Sequence, residues 1–185
     1  MAQKATVFKA QVGISDVDRG VYLDRAVTLA RHPSENDERM MVRLLAYALH
    51  VPAEDDAGTL EFGRGVSDAE EPDLWRKNLR GEIEHWIDLG EPDERRVTKA
   101  LGRSGRVSIL GYRNAFAGWW DAHGDALSKH ARLDVRSIDT NGARALGTLA
   151  ERSMALTFTI QEGTAWVAGG SENLELPIRT YFAGT

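Results

Sequence analysis

Apolar and polar side chains alternate at both ends of the chain, and this period of two predicts β-strands. The runs with that period are 6–14, 21–29, 154–161, 164–167 and 174–182. Turn-forming residues separate the first two runs, so an antiparallel hairpin is predicted over about 4–30. A second antiparallel group is predicted over about 153–182 for the same reason.

The middle of the chain, about 34–151, changes between helical and strand patterns. Apolar residues with the 3.6-residue period predict a helix within 31–51, which Ser34 is placed to cap. The strands predicted after this helix are 60–62, one that begins at Asp73, 82–89, 106–112 and 133–137. The later helices are predicted from Glu91, with Pro92 at its first position, and over 115–130 and 141–151.

This order of elements predicts an α/β (α+β) fold. Strands and helices that alternate from the centre onward indicate a mixed sheet flanked by helices. Extra antiparallel strands are expected at both termini, with the first hairpin lying on the main sheet. We expect one domain that covers residues 1–185.

Composition narrows the classes of function. The chain has no Cys, which excludes disulfides, thiolate zinc sites and cysteine nucleophiles, and fits a cytoplasmic location. No apolar run is long enough for a signal peptide or a membrane span, so no membrane partner is expected. The net charge of −5 disfavours tight non-specific binding of nucleic acid. An acidic enzyme pocket that attracts phosphate once metal is bound stays compatible with this charge.

The candidate chemistry lies in acidic residues around the predicted strand 82–89. Alternation places Glu82, Glu84, Trp86 and Asp88 on one face, and Asp73 comes eleven positions before Glu84. Carboxylates so arranged repel each other, and a divalent cation with oxygen ligands would relieve this repulsion. A solvated outer face is the alternative interpretation of the same pattern.

Glu38 is a further candidate because it projects along the inward stripe of the first predicted helix. It precedes Met41 by three residues and Leu45 by seven, so it shares their side of the helix. A carboxylate facing inward costs free energy unless it is paired with an arginine or bound to a metal.

The order of these acids resembles the PD-(D/E)xK nuclease superfamily, in which a helix acid, the Asp after Pro and a strand acid hold Mg²⁺ or Mn²⁺. Three longer blocks resemble the YaeQ family, which is regarded as a variant of that restriction-endonuclease-like fold. These blocks are ARHPSENDERMMVRLLAYAL (30–49), EPDLW (71–75) and HWIDLGEPDERRVTKA (85–100). The resemblance covers essentially the whole chain and implies a nuclease-like core over about 34–151.

By position, the resemblance implies that Glu38, Asp73 and Glu84 hold the metal ion. Asp88, two residues beyond Trp86 on the same strand face, is a candidate for an extra ligand. Trp86 stands where the superfamily has the lysine that orients the attacking water. The residues that could supply this cation are Lys77, Arg95, Arg96 and Lys99, of which Lys99 is the preferred candidate.

Two functions are therefore expected from the sequence. In the first, Mg²⁺ or Mn²⁺ at Asp73 and Glu84 activates water for phosphodiester hydrolysis, assisted by Glu38 and Lys99. In the second, the site is degenerate and the fold is a binding module for nucleic acid or protein, such as one associated with transcription. The acids would then pair with arginines, for which the candidates are Arg39, Arg43, Arg95 and Arg96.

Overall fold

The computed structural model describes residues 4–64 and 68–185, which form two mixed sheets and four helices. The helices are α1 (Asp37–His50), α2 (Glu94–Arg103), α3 (Phe116–Leu127) and α4 (Thr140–Gly147). The strands are β1 (Thr6–Asp16), β2 (Val21–Arg31), β3 (Leu60–Phe62), β4 (Leu74–Lys77), β5 (Ile83–Leu89), β6 (Ser104–Gly111), β7 (Leu133–Ser137), β8 (Ser153–Gln161), β9 (Thr164–Gly169), β10 (Glu172–Pro177) and β11 (Arg179–Ala183).

The strands from the two termini combine into one five-stranded sheet with the order β10-β9-β8-β1-β2. The predicted hairpins β1–β2 and β8–β9 are confirmed as antiparallel pairs. The first hairpin does not lie on the main sheet as expected, because β1 pairs in parallel with β8. The two predicted side structures are therefore one sheet, in which apolar residues alternate toward the core on both strands.

The turn of the β8–β9 hairpin explains how the two ends of the chain are held together. Glu162 and Gly163 have φ angles of 49° and 70°, which suit a two-residue hairpin turn. The carboxylate of Asp18 accepts hydrogen bonds from both of their backbone N–H groups, at 2.8 and 3.2 Å. The β1–β2 turn is thereby joined to the β8–β9 turn.

The run 174–182, predicted as one strand, is two strands in different sheets. β10 pairs with β9 in the terminal sheet, whereas β11 pairs with β7 at the edge of the other sheet. Pro177 ends the first of these strands and has no N–H to continue a ladder. The prediction missed this break because apolar alternation alone does not report a change of partner.

The central sheet has the order β11-β7-β6-β5-β4-β3. β5, β6 and β7 are parallel, while β3, β4 and β5 are antiparallel neighbours. Each face of this sheet covers a core. Ile87 and Leu89 pack with α1 and the terminal sheet on one side, and Trp86 packs with residues of α2 and α3 on the other.

Helix α1 lies between the two sheets. Its residues from Met40 to Leu49 are all buried, including Arg43, and not only the predicted stripe. A helix that is buried all round is typical of a core helix enclosed by other elements. Arg39, near the start of α1, contacts Asp73 beside the end of β5, and His50, the last residue of α1, contacts His85 near the start of β5.

Two helices begin later than predicted. Asn36, and not Ser34, caps α1 by accepting a hydrogen bond from the Arg39 N–H at 2.8 Å. Asp93 caps α2, so Pro92 lies before the cap and not at the first helical position. Within the described ranges, no helix has the length and apolar character that crossing a membrane requires.

Candidate functional site

A pocket of about 240 Å³ opens at the carboxyl end of β5, where β4 and α2 begin. The ionisable side chains that line it define the acid–arginine pocket, namely Arg39, Asp68, Asp73, Asp88, Glu91 and Arg96. Two of the predicted metal ligands, Asp73 and Asp88, are among them. The pocket is therefore the place where the sequence-based site can be compared with geometry.

Asp73 lies directly before β4 and is only 4% exposed. Its Oδ1 accepts a hydrogen bond from Arg39 Nη2 at 2.6 Å, and its Oδ2 accepts one from the Leu89 N–H at 2.8 Å. Burial raises the pKa of the Asp73 carboxyl, and the nearby charge of Asp88 raises it further, while Arg39 and the Leu89 N–H oppose this rise. The carboxylate is thus bound on both oxygens.

Asp88 is held by a two-point contact with Arg96 of α2. Arg96 Nε donates to Oδ2 at 2.7 Å and Nη2 donates to Oδ1 at 2.8 Å, the geometry that a guanidinium and a carboxylate favour. The same guanidinium donates to the carbonyl oxygens of Ala69 and Glu71, at 2.7 and 2.9 Å. Arg96 therefore connects β5, α2 and the segment before β4.

Arg39 extends the network toward the start of α1. It donates to Glu35 Oε1 at 3.1 Å, and Glu35 also receives two hydrogen bonds from Arg43, at 2.8 and 2.7 Å. Glu35 is 6% exposed. Charges thus alternate along a buried chain from Asp73 to Arg43, and each carboxylate in it has a guanidinium partner.

Three predicted site residues lie outside this pocket. Glu38 is half-buried where α1 approaches α4, next to Gly147. Glu84 accepts a hydrogen bond from Asn78 Nδ2 at 3.0 Å. Lys99 donates to Glu70 at 2.6 Å on the exposed side of α2. The structure therefore brings Asp73 and Asp88 together and leaves Glu38, Glu84 and Lys99 apart from them.

The strand register explains this selection. Leu74 pairs with Ile87, so the antiparallel ladder continues to place Asp73 opposite Asp88. Glu84 is four residues earlier on β5, which corresponds to about 13 Å along a strand. A bulge between Arg76 and Lys77 also leaves Glu84 without an opposite residue.

The sequence contained a signal for this register that the prediction did not use. Asn78 and Gly81 make a turn in which the Gly81 N–H donates to the Asn78 carbonyl at 2.9 Å. The hairpin folded about that turn begins by pairing Lys77 with Ile83, whose numbers add up to 160, and the bulge that follows raises this sum by one. Counting outward from the turn would have placed Asp73 opposite Ile87, one residue from Asp88 and three from Glu84.

Glu91 was not predicted as a site residue. It follows β5 and lines the pocket, and its Oε1 is a buried oxygen that has no hydrogen-bond partner among the described residues. Four acidic and two basic side chains line the pocket, which leaves it a formal charge of −2. The arrangement therefore offers an acceptor and negative charge to an incoming group.

The donor set does not fit the predicted Mg²⁺ or Mn²⁺ centre. Both oxygens of Asp73 and both of Asp88 already accept hydrogen bonds from protein donors. Over residues 4–64 and 68–185, no group of three acidic or histidine side chains is close enough to hold a metal ion. Hard cations need several oxygen ligands at once, so a metal would have to displace the arginines first.

Relatives of the chain are found along its whole length. Residues 1–178 match the YaeQ protein family. The chain is 41% identical to the uncharacterised protein YaeQ of Salmonella typhi and 38% identical to that of Escherichia coli strain K12. Each match extends over 182 residues and covers 98% of both chains.

Solved structures agree with these matches. The crystal structure of the YaeQ protein from Xanthomonas axonopodis pv. citri has a TM-score of 0.91 and 44% identity, covering 97% of this chain and 99% of that one. The YaeQ protein from Pseudomonas syringae has a TM-score of 0.88 and 34% identity, covering 97% of each chain. The chain therefore belongs to the YaeQ family.

Proposed function

We propose that the protein is an interaction module on a nuclease-like fold, and that its acid–arginine pocket receives a cationic group of a partner protein. The observation that carries this proposal is the pairing of Asp73 with Arg39 and of Asp88 with Arg96. In a hydrolytic centre these carboxylates would have to be available to a metal ion. Paired with arginines, they form a rigid wall of the pocket.

The charge of the pocket favours a cation as the recognised group. After each arginine is matched with its aspartate, Asp68 and Glu91 remain as the acidic excess of the pocket. Asp68 Oδ2 lies 3.8 Å from Arg64 Nη1, whereas Glu91 Oε1 accepts no hydrogen bond from the described residues. An ammonium or guanidinium group of a partner would supply a donor as a charge-assisted hydrogen bond. A nucleic-acid phosphate would instead meet like charge, so a protein partner is favoured over nucleic acid.

This proposal is tested by titrating the protein with a short lysine peptide while backbone amide signals are followed by NMR. We expect saturable shifts centred on Glu91, Asp88 and Leu89. Glu91→Gln should weaken binding about tenfold, since it removes one hydrogen bond between charged groups. Glu172→Gln, on the exposed strand β10, is the matched control and should leave the affinity unchanged.

The test depends on where the NMR shifts occur in the protein, because any acidic protein attracts a lysine peptide weakly. Shifts spread over the whole acidic surface, or equal losses of affinity in both variants, would contradict the proposal.

The metal-dependent nuclease remains a second candidate, favoured by the register that sets Asp73 opposite Asp88 and by the family resemblance. Its test is a titration with Mn²⁺ followed by an assay on duplex DNA. Paramagnetic broadening at Asp73 and Asp88, with cleavage lost in both Asp73→Asn and Asp88→Asn, would establish it. Absence of Mn²⁺ binding at millimolar concentration would retire it.

A further inference from the structure

A second polar pocket, of about 480 Å³, lies at the opposite end of β5 from the acid–arginine pocket. It is enclosed by the end of α1, the first residues of β5, β6 and β7, and the turn of the β1–β2 hairpin. The side chains that define this arginine–histidine pocket are Arg19, His50, His85, Arg106, Asp134 and Arg136. Neither proposed function uses any of them.

One arginine of the pocket is structural. Arg19 Nε donates to Asp16 at 2.6 Å, and its terminal nitrogens donate to the carbonyl oxygens of Val51 and Ala48 at 2.9 and 3.0 Å. It therefore fastens the β1–β2 turn to the end of α1, where these carbonyls are otherwise unpaired.

The acidic side chains of the pocket are also engaged. Asp16 binds Arg19, and Asp18 accepts the two N–H groups of the β8–β9 turn. Asp134 contacts Arg136 Nε at 3.1 Å. The acceptors of the pocket are therefore occupied by protein donors, which leaves it without a free carboxylate for a cation.

The donors of two other arginines are open. The guanidinium group of Arg106 makes neither an ion pair nor a hydrogen bond with the described residues. Arg136 uses only its Nε, so both of its terminal nitrogens are available. These guanidinium groups come from neighbouring parallel strands and line one pocket. Two open guanidinium groups beside engaged carboxylates are suited to an anion.

Two uncharged imidazoles complete the pocket. His50 and His85 meet edge to face, with ring centroids 5.0 Å apart, and His85 Nε2 is 2.8 Å from Ser108 Oγ. Burial, together with the charge of nearby arginines, lowers the pKa of both rings, and that of His85 falls to about 3. Among the described residues His50 has no hydrogen-bond partner, so one of its ring nitrogens can donate to a ligand.

We propose that the arginine–histidine pocket binds a phosphate group, with Arg106 and Arg136 as its charged donors and His50 as a neutral donor. Three donors that come from a helix end and two strands approach a ligand from different directions. A tetrahedral oxyanion accepts hydrogen bonds in this manner, whereas a planar carboxylate is matched by a single guanidinium fork. A free phosphate ion and a phosphate ester share this chemistry, and the experiment separates the two.

The test follows arginine and histidine side-chain signals by NMR during titration with inorganic phosphate at constant ionic strength. We expect saturable shifts of the Arg106 and Arg136 Nε–H signals and of the His50 ring. Arg106→Gln should weaken phosphate binding about tenfold by removing one charged donor. Arg80→Gln removes the same charge from an exposed turn and should change the affinity less than about twofold.

A second arm compares inorganic phosphate with a nucleoside monophosphate and with acetate. Tighter binding of the nucleotide identifies an ester as the ligand, tighter binding of inorganic phosphate identifies the free ion, and either supports the proposal. The proposal is overturned if acetate binds as well as phosphate, if Arg106→Gln and Arg80→Gln behave alike, or if millimolar phosphate leaves the pocket signals unmoved.

Discussion

At the residue scale, Trp86 shows why this site differs from the superfamily that the sequence resembles. Its side chain is 2% exposed and packs in the core beneath α2. The guanidinium groups of Arg96 and Arg103 lie 5.7 and 5.8 Å from its ring. A lysine at this position would be buried, so the cation beside Asp88 reaches it from α2 as Arg96 and not from β5.

The other candidate replacements for the missing lysine do not lie in the acid–arginine pocket. Lys99 pairs with Glu70, and the Lys77 ammonium lies 3.5 Å from the ring centre of Trp75. Arg39 was expected only as a partner of the acids in a degenerate site, and it contacts Asp73 directly. The arginine partners of Asp73 and Asp88 agree with the binding interpretation of the site, whereas Glu84 is bound by Asn78 instead of an arginine.

A first prediction concerns His85 and pH. Its pKa of about 3 in the folded protein is below the ordinary value of 6.5, so the unfolded state binds the proton more readily. Stability from this group is therefore complete above pH 6.5 and is lost as pH falls toward 3. The slope approaches about 1.4 kcal/mol per pH unit in that interval.

Urea unfolding at several pH values measures this slope, and His85→Gln should make it shallower than in the unsubstituted protein. His130→Gln, at the end of α3, serves as the control and should keep the original slope. Equal slopes in the protein and in His85→Gln would show that the ring does not titrate on unfolding.

At the element scale, the contact between α1 and α4 depends on a glycine. A Cβ on Gly147 would lie 2.9 Å from the Cα of Glu38, so the two helices approach closely at this point. The neighbouring atom belongs to backbone, which cannot rotate away. This close approach accounts for the half-buried position of Glu38 beside α4 and away from Asp73.

A second prediction follows for Gly147→Ala. An alanine normally stabilises a helix relative to glycine, but here it should destabilise the protein by roughly 1–3 kcal/mol because α4 must move away from α1. Gly118→Ala is the control, since position 118 is an exposed site on α3 and a Cβ there would meet nothing within 4 Å. It should be neutral or stabilising by up to about 1 kcal/mol.

Denaturant unfolding of both variants checks this prediction. The same sign of change for Gly147→Ala and Gly118→Ala would mean that the helix contact relaxes without cost.

At the scale of the whole molecule, the two sheets share α1. The terminal sheet, α1 and one face of the central sheet make a single core, and β5 also contributes to the second core through Trp86. β1 and β8 pair although they lie at opposite ends of the chain. Neither sheet can therefore bury its apolar face without the other.

A third prediction is that the chain unfolds in one cooperative transition, as one domain over residues 1–185 would. Far-ultraviolet circular dichroism reports both sheets, whereas three of the five tryptophans that give the fluorescence signal, Trp86, Trp119 and Trp120, lie in or against the second core. The two signals should have the same midpoint, and the calorimetric and van't Hoff enthalpies should agree. Separate midpoints would indicate two units that fold independently.

Much of the secondary structure could be predicted because it depends on local periodicity. The hairpin β1–β2, the helix α1 and the strand β5 follow from side-chain patterns within one element. The site was predicted less well, since Asp73 and Asp88 were found but were grouped with Glu38 and Glu84. That grouping assumed a common face, whereas contact depends on the pairing of two strands.

By itself, the sequence determined the alternation of elements, the absence of cysteine chemistry and the membership of the YaeQ family, because each depends on residues read in order. Only the tertiary structure decided which charges meet. Arg39 and Asp73 are 34 residues apart, and their contact requires the register of β4 on β5 together with the placement of α1 against the sheet. Long-range geometry therefore turned a set of candidate metal ligands into paired carboxylates.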